Sequence, residues 1–107
     1  MIDHGAALYF HHAWADHITR CRSPFPAIRN HVLLPFAGEG DLRAADAALT
    51  PQITEAVLAE IVAQVPDHWL AGEATPEAVR RGHVEHLVKR LAPPRDFVEE
   101  AIRARLV

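Results

Sequence analysis

The sequence predicts a mainly α-helical fold with at most one short N-terminal strand. Nineteen of the 107 residues are Ala, the residue with the highest helix propensity. In the C-terminal half, apolar residues recur at the helical spacings of three and four. Thr50-Pro51 and Thr75-Pro76 are typical helix starts, with Thr as N-cap and Pro at the first helical position. A chain of this length is predicted to form one domain, residues 1–107.

The N-terminal third carries fewer helical signals. Residues 1–5 are predicted to end a strand and turn, because an apolar pair leads into Asp-His-Gly. The next segment fits a buried strand or a helix, and residues 13–19 favour a helix. Two prolines favour extended and turn backbone in residues 20–26. Residues 30–35 fit a strand or a buried loop, and residues 38–40 a turn.

Four helices are predicted after this segment. The first covers residues 41–49, with Asp41 as its cap, and the second is opened by Thr50 and ended by Pro66. The third covers residues 75–91 and the fourth residues 95–106, separated by a Pro-Pro pair. The side chains predicted to be buried in the last three helices are Ile53, Val57, Leu58, Ile61, Val65, Val79, Val84, Leu87, Val88, Leu91, Phe97, Val98, Ala101, Ile102 and Leu106.

Two local contacts are also predicted. Trp69 and Leu70, in the short turn after the second helix, are expected to cap the core. Glu99 and Arg103 are four residues apart in the fourth helix, which places them for an ion pair.

Charge and composition argue against several classes of protein. The net charge is −3 and no basic cluster occurs, so we expect no nucleic-acid partner. The single cysteine, Cys21, cannot form an internal disulfide. Neither a signal peptide nor an 18-residue apolar run is present, since Glu55 and Glu60 interrupt the best candidate, so we expect no membrane partner. A cytoplasmic location is the simplest expectation.

Asp3 is the most suggestive residue for chemistry. It follows the apolar Ile2 and precedes His4 and Gly5, which would place a carboxylate at the mouth of a buried strand. Magnesium is bound by one or two carboxylates, with phosphate and water supplying its other ligands. Asp and Gly are equally common as turn residues, so the spacing alone leaves a metal site and a plain turn both open.

Residues 2–12, Ile-Asp-His-Gly-Ala-Ala-Leu-Tyr-Phe-His-His, resemble the segment after the catalytic loop in a branch of HipA-like kinases, which are related to phosphatidylinositol 3- and 4-kinases. Asp3 falls on the metal-binding Asp of these enzymes, the counterpart of the Asp in the Asp-Phe-Gly motif of protein kinases. The resemblance continues through residues 30–35, 41–49 and 65–70.

The resemblance implies a helical C-terminal lobe segment of a kinase-like fold, with Asp3 as a ligand of Mg²⁺ and with ATP as cosubstrate. Intact relatives transfer phosphate from ATP to a protein or another hydroxyl acceptor. A phosphate-covering loop, a nucleotide-contacting Lys, a catalytic Asp and a metal-binding Asn would all precede Asp3 in such a kinase. We therefore expect a partial kinase with no catalytic residue of its own. It would be inactive alone and associated through its N-terminal end with itself or with a separately encoded N-terminal kinase part.

Two alternatives remain open. One is a small helical protein-interaction module without catalysis. The other is a His-rich metal-binding domain, because five of the eight histidines lie in the first 31 residues. The His spacing argues for structural or solvent-exposed histidines: His12 and His17 are five apart, and His83 and His86 lack a further ligand. Cys21, between two arginines, has a pattern that can activate a thiol.

Overall fold

The computed structural model describes residues 19–70, 72 and 74–106. Within this part of the chain the backbone forms α-helices joined by short 3₁₀ turns, with no strand, which confirms the predicted mainly α class. The predicted N-terminal strand end and Asp3 lie outside the described residues. The helices are α1 (Glu39–Leu49), α2 (Glu55–Ala63), α3 (Pro76–Leu91) and α4 (Asp96–Arg105).

Residues 30–35 contribute to 3₁₀ turns, not to a strand or a buried loop. The turns on either side are Pro26–Asn30 and Leu34–Phe36. Leu34 is buried, whereas Val32 and Leu33 are 79% and 64% exposed. Pro35 lacks a backbone N–H, which disfavours a paired strand at this position. Of the three aliphatic side chains in residues 32–34, Leu34 alone is therefore buried in the core.

Helix α1 begins earlier than its sequence suggests. The predicted turn at residues 38–40 is wrong, since Gly38 is the N-cap and Glu39 the first helical residue. Asp41 does not cap the helix from outside. It lies in the first turn, where its Oδ2 accepts a hydrogen bond of 3.1 Å from the Gly38 N–H.

Helix α2 starts at Thr54, not at Thr50. The Thr54 Oγ1 accepts a hydrogen bond of 3.2 Å from the Val57 N–H, as an N-cap does. Thr50 instead has helical backbone and donates its hydroxyl to Asp46 Oδ1 at 2.9 Å. Thr50 is therefore committed to the end of α1 and is not available as an N-cap.

The predicted start and end of α3 are confirmed. Thr75 is the N-cap, Pro76 is the first helical residue and Leu91 the last. The Thr75 Oγ1 accepts a hydrogen bond of 3.2 Å from the Ala78 N–H. Both the cap and the proline act locally, which explains why sequence alone located this boundary.

Removing this cap should destabilise the fold measurably. We expect Thr75→Ala to lower the free energy of unfolding by about 1 kcal/mol, the usual cost of losing an N-cap oxygen. Urea denaturation followed by circular dichroism measures the change. Thr75→Ser retains the hydroxyl and should remain close to wild type. Equal stability of the Ala and Ser variants would show that the cap contributes nothing.

The helices pack in two pairs. Helix α2 lies against α3, and α1 lies against α4. The turn Pro26–Asn30 packs on α4, and the turn Thr19–Arg22 packs on α3. Among the described residues, the buried apolar side chains are Cys21, Leu34, Leu58 and Ile102.

The predicted buried face of α2 is wrong for most of its members. Ile53, Val57 and Ile61 are 40%, 38% and 56% exposed, and only Leu58 is buried. The helix turns Leu58 toward its neighbour and leaves Val57 and Ile61, one turn apart, on the outside. Helix α2 therefore presents an apolar surface to solvent.

The other packing predictions have mixed outcomes. In α3 the predicted apolar residues are half-buried, and the buried positions are Gly82 and His86. In α4 Ile102 is buried as predicted, while Leu106 is exposed. Trp69 does not cap the core, since it is 71% exposed. The predicted partner of Glu99 is also wrong.

Glu99 forms an ion pair with a different helix. Its Oε1 lies 3.1 Å from Nη1 of Arg43 on α1. Arg103 pairs instead with Glu100, three residues away. The Arg43–Glu99 contact therefore joins α1 to α4, although both side chains are more than half exposed and such pairs stabilise little.

Candidate functional site

An apolar groove in the described part of the chain is bounded by α1, α4 and the turn Pro26–Asn30. Its volume is about 400 Å³, within the range of about 300–1,000 Å³ that is usual for ligand pockets. The groove is lined by Pro24, Phe25, Ile28, Leu42, Ala45, Asp46, Leu49, Thr50, Ile53, Arg90, Leu91, Phe97, Val98 and Ala101.

One wall of the groove contains a bidentate ion pair. The Arg95 guanidinium donates from Nε to Asp46 Oδ1 at 2.7 Å and from Nη2 to Asp46 Oδ2 at 2.8 Å. Both side chains are about one-fifth exposed, and Arg95 also donates to the Leu91 carbonyl. These hydrogen bonds lower the pKa of Asp46 and raise that of Arg95, despite partial burial. The pair is thus neutralised internally and ties α1 to the start of α4.

Arg90 supplies the other charge at the groove. Its Nη1 donates to the carbonyls of Cys21 and Ser23, at 3.1 and 2.8 Å. Its guanidinium carbon lies 4.5 Å from the centroid of the Phe97 ring, a cation–π contact. Burial lowers the pKa of Arg90 from its usual value. Within the described part of the chain, none of the ion pairs includes Arg90.

Arg22, which lies in the segment that Arg90 contacts, donates hydrogen bonds in the opposite direction, to the link between α3 and α4. The Arg22 Nη1 donates to the carbonyls of Ala92 and Pro94, at 2.7 and 2.9 Å. Arg22 and Arg90 together fix residues 21–23 beside the link between α3 and α4. The chain then turns through Phe25, whose φ of 58° is uncommon for a residue other than glycine. This turn places Phe25 on the edge of the groove.

The chemistry of the groove favours binding over catalysis. Its lining side chains with nitrogen or oxygen atoms are Asp46, Thr50 and Arg90. Asp46 and Thr50 are hydrogen-bonded to each other, which leaves no hydroxyl next to an unengaged base. Cys21 is 4% exposed, so its thiol is shielded from solvent.

The residues singled out by sequence do not converge on this groove. Asp3 lies outside the described residues. His83 and His86 are both on α3, and His86 is buried, but no group of three metal-binding side chains occurs in the described ranges. The Nδ1 of His31 accepts a hydrogen bond of 3.2 Å from the Leu33 N–H. The structure therefore gives no support to a His-rich metal site in these ranges.

Sequence reasoning did not identify the groove. Its lining comes from segments that are far apart in the chain, between Pro24 and Ala101, and no local motif links them. A partial signal was present in Phe25, a large apolar side chain in the segment 20–26 that was predicted to be extended and turn backbone, and in Ile28 shortly after it. None of the helices among the described residues is long and apolar enough to cross a membrane.

Comparison with known proteins leaves the family open. No family model matches the chain, and neither the curated proteins nor the solved structures include a significant match.

Proposed function

We propose that the chain is the helical C-terminal part of a HipA-like kinase, in which Asp3 contributes a ligand of the Mg²⁺–ATP site. The observation that carries the proposal is the segment at residues 2–12, with Asp3 at the position of the metal-binding Asp. The helical architecture of the described residues supports it, because such a part would act as scaffold. A cytoplasmic location belongs to the same proposal.

The proposed part does not catalyse alone. A kinase requires a lysine that contacts the nucleotide phosphates. The chain has one lysine, Lys89, and its Nζ lies 3.1 Å from Glu85 Oε1 on α3, with both side chains about half exposed. Lys89 is therefore part of a surface ion pair. The lysine, the catalytic Asp and the metal-binding Asn would come from the N-terminal part of such a kinase.

Phosphate transfer from radiolabelled ATP tests this proposal. We expect no transfer by the chain alone, because catalysis depends on all parts being positioned together. Transfer should appear when the chain is mixed with the N-terminal part of a HipA-like kinase that carries the lysine and the catalytic loop. It should disappear with Asp3→Ala and persist with Asp41→Ala. Transfer by the chain alone, transfer that survives Asp3→Ala, or no transfer by the mixture would contradict the proposal.

A second candidate is a helical protein-interaction module without catalysis. The observation that favours it is the apolar groove beside the exposed apolar residues of α2. Large apolar surfaces on soluble proteins commonly mark interaction sites. This candidate predicts that the chain binds a protein partner stably and that Asp3→Ala does not change this binding. The kinase proposal instead predicts that phosphate transfer by the mixture depends on Asp3.

A further inference from the structure

The groove continues into an exposed apolar ridge on the same chain. We define the ridge as Ile53, Val57 and Ile61, all at least 38% exposed. Ile53 lines the groove, and Val57 and Ile61 follow it along α2, one helical turn apart. The apolar surface therefore includes the concave groove and the exposed residues of α2, with Ile53 at the groove and just before the helix.

A small ligand would cover only the concave part. A molecule that fills the groove would leave Val57 and Ile61 in contact with water. The lining residues together with Val57 and Ile61 number sixteen, somewhat fewer than the about 20–30 residues that each partner contributes to a standard protein interface. The extent of the surface thus fits a protein partner better than a small molecule.

The charges at this surface are complementary to each other. Arg90 lines the groove, and no carboxylate among the described residues pairs with it. Glu60 flanks Val57 and Ile61 on α2, is exposed and forms no ion pair within the same ranges. A cation at the groove and an anion beside the ridge are what a chain would need to recognise its own surface.

We propose that the groove and the ridge form a two-fold symmetric interface between two copies of this chain. The ridge of each copy lies in the groove of the other, since a two-fold axis makes every contact occur twice. Val57 and Ile61 pack against the apolar groove wall, and Glu60 meets Arg90 across the interface. The proposal does not depend on the kinase assignment, because it uses only residues of the described helices and turns.

Analytical ultracentrifugation of the full chain over micromolar concentrations tests the proposal. We expect a monomer–dimer equilibrium. Ile61→Glu places a charge in the apolar contact and should raise the dimer Kd about tenfold or more. The matched control is Leu106→Glu, which changes an exposed apolar residue at the C-cap of α4 and should leave the Kd within about twofold.

A second variant tests the groove without altering the ridge. Ala45→Trp fills the groove from an exposed position on α1, so it should also weaken the dimer while preserving the helical circular dichroism. Glu60→Arg should weaken the dimer too, because it faces Arg90 with a like charge.

Several results would overturn the proposal. A wild-type chain that stays monomeric, or a dimer that none of these three variants weakens, would exclude this interface. A monomer whose groove binds a fluorescent apolar probe, with binding abolished by Ala45→Trp, would assign the groove to a small ligand instead.

Discussion

Replacing Leu58 by alanine is expected to lower the free energy of unfolding by about 2–5 kcal/mol, the usual range for a large apolar residue in a core. Leu58 is 7% exposed and lies on the helix that packs against α3. Few apolar side chains in the described ranges are buried to this degree, so the packing lost with Leu58 is a large share of a small core. Urea denaturation with circular dichroism and Trp fluorescence gives the change.

Ile61→Ala is the matched control on the same helix. Its side chain is 56% exposed, so its loss should change the stability of the monomer by about 0.5 kcal/mol or less. The measurement belongs at a concentration below that of self-association, because dimerisation adds to the apparent stability. If Ile61→Ala lowers the free energy of unfolding as much as Leu58→Ala does, α2 is rotated relative to the arrangement described above.

The contrast between Leu58 and Ile61 shows what periodicity could establish about α2. The helix sequence, Glu-Ala-Val-Leu-Ala-Glu-Ile-Val-Ala, is apolar around most of its circumference. An apolar stripe indicates the inward face only when the opposite face is polar. The existence of α2 was therefore predictable, but the side that packs on α3 was not.

The boundaries of α1 and α2 show a second limit. Thr50 and Thr54 are both good N-cap candidates, and sequence alone ranks Thr50 first because a proline follows it. The structure assigns Thr50 to Asp46, which in turn accepts from Arg95, a residue 49 positions away. A contact between residues that are distant in the sequence therefore determines which threonine caps α2. At α3 no such contact from the described residues competes for Thr75, and the prediction was correct.

The groove could not be predicted for a related reason. Arg90 and Arg95 are ordinary helix-surface residues in the sequence, and their positions in the structure depend on carbonyls and a carboxylate from distant segments. Arginine is suited to such links because its planar guanidinium donates several hydrogen bonds in fixed directions. The assignment of Asp3 as a metal ligand, which depends on the resemblance, stays a prediction.

The ion pair between Asp46 and Arg95 predicts how the stability of the fold depends on pH. The hydrogen bonds from Arg95 hold the pKa of Asp46 below its usual value of about 3.9. A carboxyl whose pKa is lowered by folding contributes stability that is fully present above its unfolded pKa. That contribution is lost as the pH falls through the folded pKa. The Asp46 contribution should therefore be constant near neutral pH and decline below about pH 4.

Comparing wild type with Asp46→Asn across this range isolates the contribution. The Asn variant should be less stable at pH 7, because its neutral amide cannot accept both Arg95 hydrogen bonds. The difference should shrink as the pH is lowered below about 4, since the Asp46 carboxyl is then protonated first in the unfolded chain and only at lower pH in the folded one. Glu100, whose pKa is lowered by Arg103, titrates in both proteins and cancels in the difference.

Arg95→Lys provides the second arm of the same experiment. Lysine keeps the positive charge but loses the paired N–H donors of the guanidinium. The pKa of Asp46 should then rise toward its usual value, so the stability contributed by the pair is smaller at pH 7 and is lost at a higher pH than in wild type. Equilibrium denaturation between pH 3 and pH 7, or the carboxyl chemical shift of Asp46 in NMR, measures this change. A stability difference between wild type and Asp46→Asn that stays constant over the whole range would show that the Asp46 pKa is the same in the folded and unfolded chain.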